Sequence, residues 1–258
     1  MRLQRLILIR HGESVGNEAA SAAEFSGDEV IDLPFRDADT PLSPTGEAQA
    51  DALGTALREL GVGLEAAVWT SPYRRAMQTS ARALDAADLE RAAMADERLR
   101  DRELGILDHL TSHGTLARYP SETERRAHLG KFFYRPPGGE SWADVALRLR
   151  SFLAEAQGGS AETGVVFAHE AIIHLLRYVL EGWDEHQVLA AAVEAPAPNA
   201  SVTLLERDPA GAWVASVVGD VTHLREHGVE ATLHTGRPDP RVNRATEAAE
   251  EVSHVSAE

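Results

Sequence analysis

The 258-residue chain is predicted to fold as an α/β three-layer sandwich, with a mainly parallel central sheet flanked by helices. Three observations carry this. Three short apolar runs, Leu6–Ile9, Ala66–Trp69 and Val165–Ala168, have the unbroken apolar character of strands buried on both faces. Each run gives way abruptly to polar residues: Arg10-His11-Gly12-Glu13-Ser14, Thr70-Ser71-Pro72-Tyr73-Arg74-Arg75 and His169-Glu170. Helical patterns lie between the runs, as the crossovers of parallel strands require.

In chain order, the first strand opens into a loop at Gly12, where the missing Cβ lets the backbone approach a ligand or adopt a positive φ. A buried strand followed by an ordinary polar loop accounts for this stretch equally well, and only the later strand ends weigh between the two. Residues 18–42 are polar, rich in Ala and Asp, and contain Pro34 and Pro41, so a loop with room for a short helix is expected. A helix follows from Ser43, with Pro44 at its favoured first position, Leu53, Leu57 and Leu60 on one face, and Gly61 at its end. Past the second strand an Ala-rich helix is expected to about Ala87.

Residues 106–139 read as an irregular insertion with Pro120, Pro136, Pro137, Gly138 and Gly139. It carries Arg118, Arg125, Arg126, Lys131 and Arg135; a lid over a binding site and a solvated face are both open readings. Ser141, with Asp144 three residues on, caps a helix to Ala156. The third strand leads into a helix over Ala171–Leu180. Ser201–Glu206 and Trp213–Val218 alternate as two strands joined through Asp208-Pro209-Ala210-Gly211. One domain over residues 1–235 and a mobile tail from Gly236 complete the expected organisation.

Composition narrows the function. A formal charge of −16 argues against nucleic acid or an anionic membrane as partner, because a phosphate-backbone footprint needs concentrated positive charge. No apolar run reaches membrane-spanning length, the first residues lack a secretion signal, and there is no cysteine, so a cytoplasmic protein is expected. Parallel sheets hold ligands beyond the carboxyl ends of their strands, which is where Arg10, His11, Arg75 and His169 fall. Guanidiniums there suit an anion, which they grip bidentately as a lysine cannot. Competing motifs are weak. His169-Glu170 resembles the start of a zinc helix, but His174 lies five residues on, about 140° round a helix, and cannot share a metal with His169. His109 and His113 have metal-ligand spacing in a segment of doubtful helicity, and solvated histidines are the plainer reading.

RHGES with Asn17, SPYRRAMQT over Ser71–Thr79 and the histidine after VVFA together resemble the histidine phosphatase superfamily, the phosphoglycerate mutase-like proteins, from about Leu3 to Val218. The resemblance implies a phosphoglycerate mutase-like fold. It implies His11 as the nucleophile that takes a phosphoryl group, a pocket of Arg10, Arg75 and His169, and neighbouring phosphate contacts from Ser14 and Asn17. The family's proton donor is a Glu in an LxExxxG arrangement. Here the matching Leu99-Arg100-Asp101-Arg102-Glu103-Leu104-Gly105 puts Asp101 at that position, one methylene shorter, with Glu103 as the alternative. Glu170 stands where the family often has Gly, a carboxylate unfavourable beside an anion unless it points away.

The implied activity is a phosphatase acting on a small phosphorylated substrate through a phosphohistidine, without metal or organic cofactor. Mutase-type transfer and a non-catalytic phospho-ligand binding protein are the alternatives, and a homodimer is left open. The chemistry fits the residues. Phosphoryl transfer spreads charge over equatorial oxygens, so catalysis is mainly positioning and electrostatics. A nucleophilic histidine must be neutral, and neighbouring cations push its pKa down from about 6.5.

Overall fold

The computed structural model describes residues 3–234; the tail expected from Gly236 lies outside the described residues. Strands β1 (Arg5–Arg10), β2 (Ala67–Thr70), β3 (Met94–Ala95), β4 (Thr163–Ala168), β5 (Val202–Arg207) and β6 (Trp213–Asp220) form one sheet in the order β3-β2-β4-β1-β5-β6. The first four are mutually parallel, and β5 and β6 add an antiparallel hairpin against β1. Register brings the three strand ends level, Arg10 opposite Ala168 and Thr70 opposite Phe167.

Helices are α1 (Val15–Ser26), α2 (Pro44–Glu59), α3 (Arg74–Ala86), α4 (Ser112–Arg118), α5 (Pro120–Phe133), α6 (Trp142–Gly158), α7 (Glu170–Leu180), α8 (Glu185–Glu194) and α9 (Thr222–Glu226). The two-residue period of the strands divides the core. Ile7, Ile9, Val165 and Phe167 pack with Leu53 and Leu57 of α2 and Ala83 and Leu84 of α3. Leu6, Leu8, Val166 and Ala168 face the other way, onto Leu149 and Phe152 of α6 and Ile172 and Leu176 of α7. A sheet covered on both faces gives the three expected layers, and it explains why β1 and β4 are apolar without alternation.

Two expectations need correction. Residues 18–42 begin inside α1, which starts at Val15 and ends at Gly27 with φ 75°. Ala23 is its one buried residue, so no apolar period marked it. Residues 106–139 are not irregular either, since α4 and α5 occupy most of them. Thr111 caps α4 by accepting from Gly114 N, and Pro120 sits in the first turn of α5. Only Gly114 in α4, and Glu122 and Phe132 in α5, are buried, so the apolar stripe that would announce these helices is missing. The basic residues there are engaged: Arg118 with Glu29, Arg125 with Glu122, Arg135 with Asp144, and the Lys131 ammonium 4.9 Å over the Trp142 ring.

Candidate active site

The loop after β1 is built by backbone hydrogen bonds. His11 N donates to Ala168 O at 2.9 Å, Gly12 N to Thr79 Oγ1 at 3.0 Å and Glu13 N to Gln49 Oε1 at 2.8 Å. A Cβ on Gly12 would lie 2.5 Å from Gly46 O, and one on Gly46 would lie 1.8 Å from Glu13 O. Gly12 is therefore required by the close approach of the α2 N-terminus. Its φ is not positive, so of the two expected uses of that glycine the positive-φ one does not apply. Asn199, fully buried before β5, ties the loop to α1 by donating to His11 O at 3.2 Å and Asn17 Oδ1 at 3.3 Å.

Above this loop the His11 and His169 rings meet edge to face, with centroids 5.1 Å apart. His11 Nδ1 lies 2.7 Å from Gly12 O. A carbonyl only accepts, so in the neutral ring Nδ1 carries the hydrogen and Nε2 keeps its lone pair. Burial, then Arg75, His169 and Arg10, hold His11 well below the ordinary imidazole range. His169 is lowered in the same way, by burial and then Arg75, Arg10 and Arg148. Its Nε2 is 2.8 Å from Ser71 Oγ and its Nδ1 3.3 Å from Asp101 Oδ2.

The two buried guanidiniums flank these rings. Arg75 Nη1 donates to Asp37 Oδ1 at 2.8 Å and Asp37 O at 2.7 Å, and its Nη2 is 3.3 Å from Asp101 Oδ2. Burial opposes its charge, but Asp37 and Asp101 outweigh burial and raise its pKa. Arg10 Nη2 donates to His234 O at 3.0 Å, and Nη1 lies 3.2 Å from Glu170 Oε2. Arg10 Nε is buried with no hydrogen-bond partner among the described residues, a donor left unsatisfied. Burial pushes the Glu170 carboxyl up, against the pull of Arg10.

The structure thus brings Arg10, His11, Arg75, Asp101 and His169 together. Ser14 and Asn17 lie beside them but are occupied with each other. Ser14 Oγ accepts from Asn17 N and Asn17 Oδ1 accepts from Ser14 N, each at 3.1 Å, a capping box that opens α1. Glu103 is turned to the surface, where it accepts from Tyr73 OH at 2.8 Å. Glu13 accepts from Ser43 Oγ at 2.7 Å and lies 2.9 Å from His234 Nε2. Glu170 does not point away from the pocket, because it pairs with Arg10. Sequence reasoning missed Asp37, Ser71, Asn199 and His234. Ser71 carried a signal, lying at the end of β2, but the others come from connections without period.

Among the described residues no three His, Asp or Glu side chains are grouped to hold a metal ion, and no helix is long and apolar enough to cross a membrane. His109 precedes α4, so it does not share a helical face with His113.

The family model of the histidine phosphatase superfamily, branch 1, matches residues 6–220. A 2,3-bisphosphoglycerate-dependent phosphoglycerate mutase of Methylobacterium radiotolerans is 32% identical over 219 residues, covering 79% of this chain and 96% of the mutase. A mutase of the same description from Gloeobacter violaceus is 31% identical over 199 residues, covering 76% of this chain and 84% of the relative. Among solved structures, a mycobacterial glucosyl-3-phosphoglycerate phosphatase in complex with VO3 superposes with a TM-score of 0.67 at 26% identity, covering 84% of this chain and 100% of the phosphatase. With strand ends, paired histidines and buried guanidiniums placed as described and the family match spanning most of its length, the chain belongs to the histidine phosphatase superfamily.

Proposed function

We propose that this chain is a phosphatase that hydrolyses a small phosphorylated metabolite through a phosphohistidine on His11. The observation that carries this reading is the Nδ1 hydrogen bond of His11 to Gly12 O, which leaves a neutral Nε2 lone pair in a pocket with two buried guanidiniums. In the first step Nε2 attacks phosphorus, the bond to the ester oxygen breaks, and Asp101 gives its proton to the departing alcohol. In the second, the Asp101 carboxylate takes a proton from water, the oxygen attacks phosphorus, the P–N bond breaks, and phosphate leaves with His11 restored. Arg10, Arg75 and His169 bind the equatorial oxygens, where charge is spread in the transition state.

Asp101 rather than Glu103 suits the donor role, since it reaches both His169 and Arg75 while Glu103 is bound to Tyr73. Hydrolysis over mutase transfer is supported by the Asp101 side chain, which is 28% exposed and so open to water. Similarity to the Methylobacterium radiotolerans mutase favours the second reading, in which the phosphoryl group returns to another hydroxyl.

The test is labelling with a generic phosphate monoester, quenched in acid or alkali, for wild type and His11→Ala, with released phosphate followed in parallel. An alkali-stable, acid-labile adduct that is absent in His11→Ala and accompanies phosphate release is expected. Interconversion of 2- and 3-phosphoglycerate without phosphate release would establish the mutase instead.

A further inference from the structure

Two carboxylates against the anion pocket, Asp37 on Arg75 and Glu170 on Arg10, are left without a part by the two chemical steps, and Glu170 is the one next to His169 in the chain. It opens α7 directly after His169, its side chain is 20% exposed, and it feels the charge of Asp101 as well as that of Arg10. Together with Asp37 and Asp101 it sets three carboxylates against the two buried guanidiniums. Lys131 of α5 offsets part of this, drawing on Glu170 while its ammonium lies over the Trp142 ring. Arg10 has Nη1 turned to Ala197 O and Glu170 and one Nη2 hydrogen to His234 O, which leaves, of its five N–H groups, Nε and the second on Nη2 for a single phosphoryl group. The guanidinium is therefore not free to take a second anionic group from the same ligand. An alcohol leaving towards Asp101 passes within the field of the Glu170 carboxylate. There a hydroxyl or ammonium meets an acceptor, and a carboxylate or second phosphate meets a like charge in a desolvated site.

Resting on the phosphatase reading above, we infer that Glu170 is a specificity-determining residue, and that the substrate is a phosphate monoester whose alcohol bears hydroxyl or amino groups and no further anion. The Gly that the family often has at this position would leave Arg10 unanswered; Glu170 answers it from within.

The experiment compares kcat/KM of the full chain for glycerol 3-phosphate, phosphoethanolamine and 3-phosphoglycerate, with p-nitrophenyl phosphate as reference, in wild type, Glu170→Gln and Glu170→Gly. Wild type is expected to prefer the first two over 3-phosphoglycerate by about tenfold or more, the scale of a like-charge clash. Both variants are expected to bring that ratio to within about threefold, whatever they do to the absolute rates. A wild-type preference for 3-phosphoglycerate, or a ratio that neither substitution moves, would overturn the inference while leaving the phosphatase reading intact. Loss of all four activities in wild type, p-nitrophenyl phosphate included, would overturn the phosphatase reading and this inference with it.

Discussion

His11 shows how much one side chain depends on its immediate contacts. One carbonyl, Gly12 O, chooses the tautomer, and burial with two guanidiniums chooses the protonation state. The two acids of the 99–105 segment diverge for equally local reasons: Asp101 reaches Arg75 and His169, and Glu103 is taken by Tyr73. On a substrate with a poor leaving group, Asp101→Asn is expected to lower kcat by about a hundredfold or more, the scale of general acid catalysis, and Glu103→Gln to change it less than threefold. Steady-state rates on an alkyl phosphate check this, and the reverse order would move the donor to Glu103. At this scale the sequence was legible for position at the strand ends, since Arg10, His11, Arg75 and His169 come together as their places in the chain predict. It was illegible for Asp37 and Asn199, which reach the site from connections and owe their roles to contacts far along the chain. Ser14 and Asn17, read as ligand contacts, also carry a helix cap, so reading them for chemistry hid the start of α1.

Among the elements, strands in the buried sheet and helices that bury a whole face were readable. Thus β1, β2, β4, α2, α3, α6 and α7 lie within a few residues of expectation. The solvated helices α1, α4 and α5 were not, because a helix that buries one or two residues writes no stripe into its sequence. Contact between elements matters most where α2 meets the loop after β1. Gly46 lets the α2 N-terminus close on Glu13, two residues past His11. Gly46→Ala would force a Cβ into backbone oxygen, and nothing flexible can yield. It is expected to cost about 2–3 kcal/mol, or a fall of about 5–10 °C in the thermal midpoint, with kcat falling alongside. Calorimetry and a rate assay on the same sample check it; an unchanged midpoint would show that α2 can shift.

The whole molecule buries histidines on both sides of its site. His174, inside α7, has neither ring nitrogen hydrogen-bonded among the described residues, and burial, then Arg177, Lys131 and Arg10, lower it to about 4. His11 and His169 are lowered too. An unfolded chain takes up a proton on each near pH 6.5 and the native one does not, so their contribution to stability is complete above about 6.5 and is lost as the pH falls towards the native values. For His174 the window is about 4 to 6.5, with about 3 kcal/mol at stake. Thermal unfolding from pH 7 to 4.5 should show the wild-type midpoint falling steeply and that of His174→Leu falling less. Parallel curves would mean that His174 gains a proton acceptor in the fold.

The position of β1 in the sheet also governs how the protein is made. The strand that carries His11 is the first to be synthesised, yet its neighbours are β4 and β5, with Arg5 opposite Thr163 and Ile9 opposite Val202. At the usual pace of translation the Leu6–Ile9 stretch waits on the order of ten seconds for a strand to pair with. During that time it is a short, sticky, uncharged β-former outside the ribosome, the kind of segment that holdase chaperones grip and that aggregates when they are scarce. Placing the strand that leads to His11 inside the sheet gives a rigid site in the finished protein and makes the nascent chain dependent on residues 163–207.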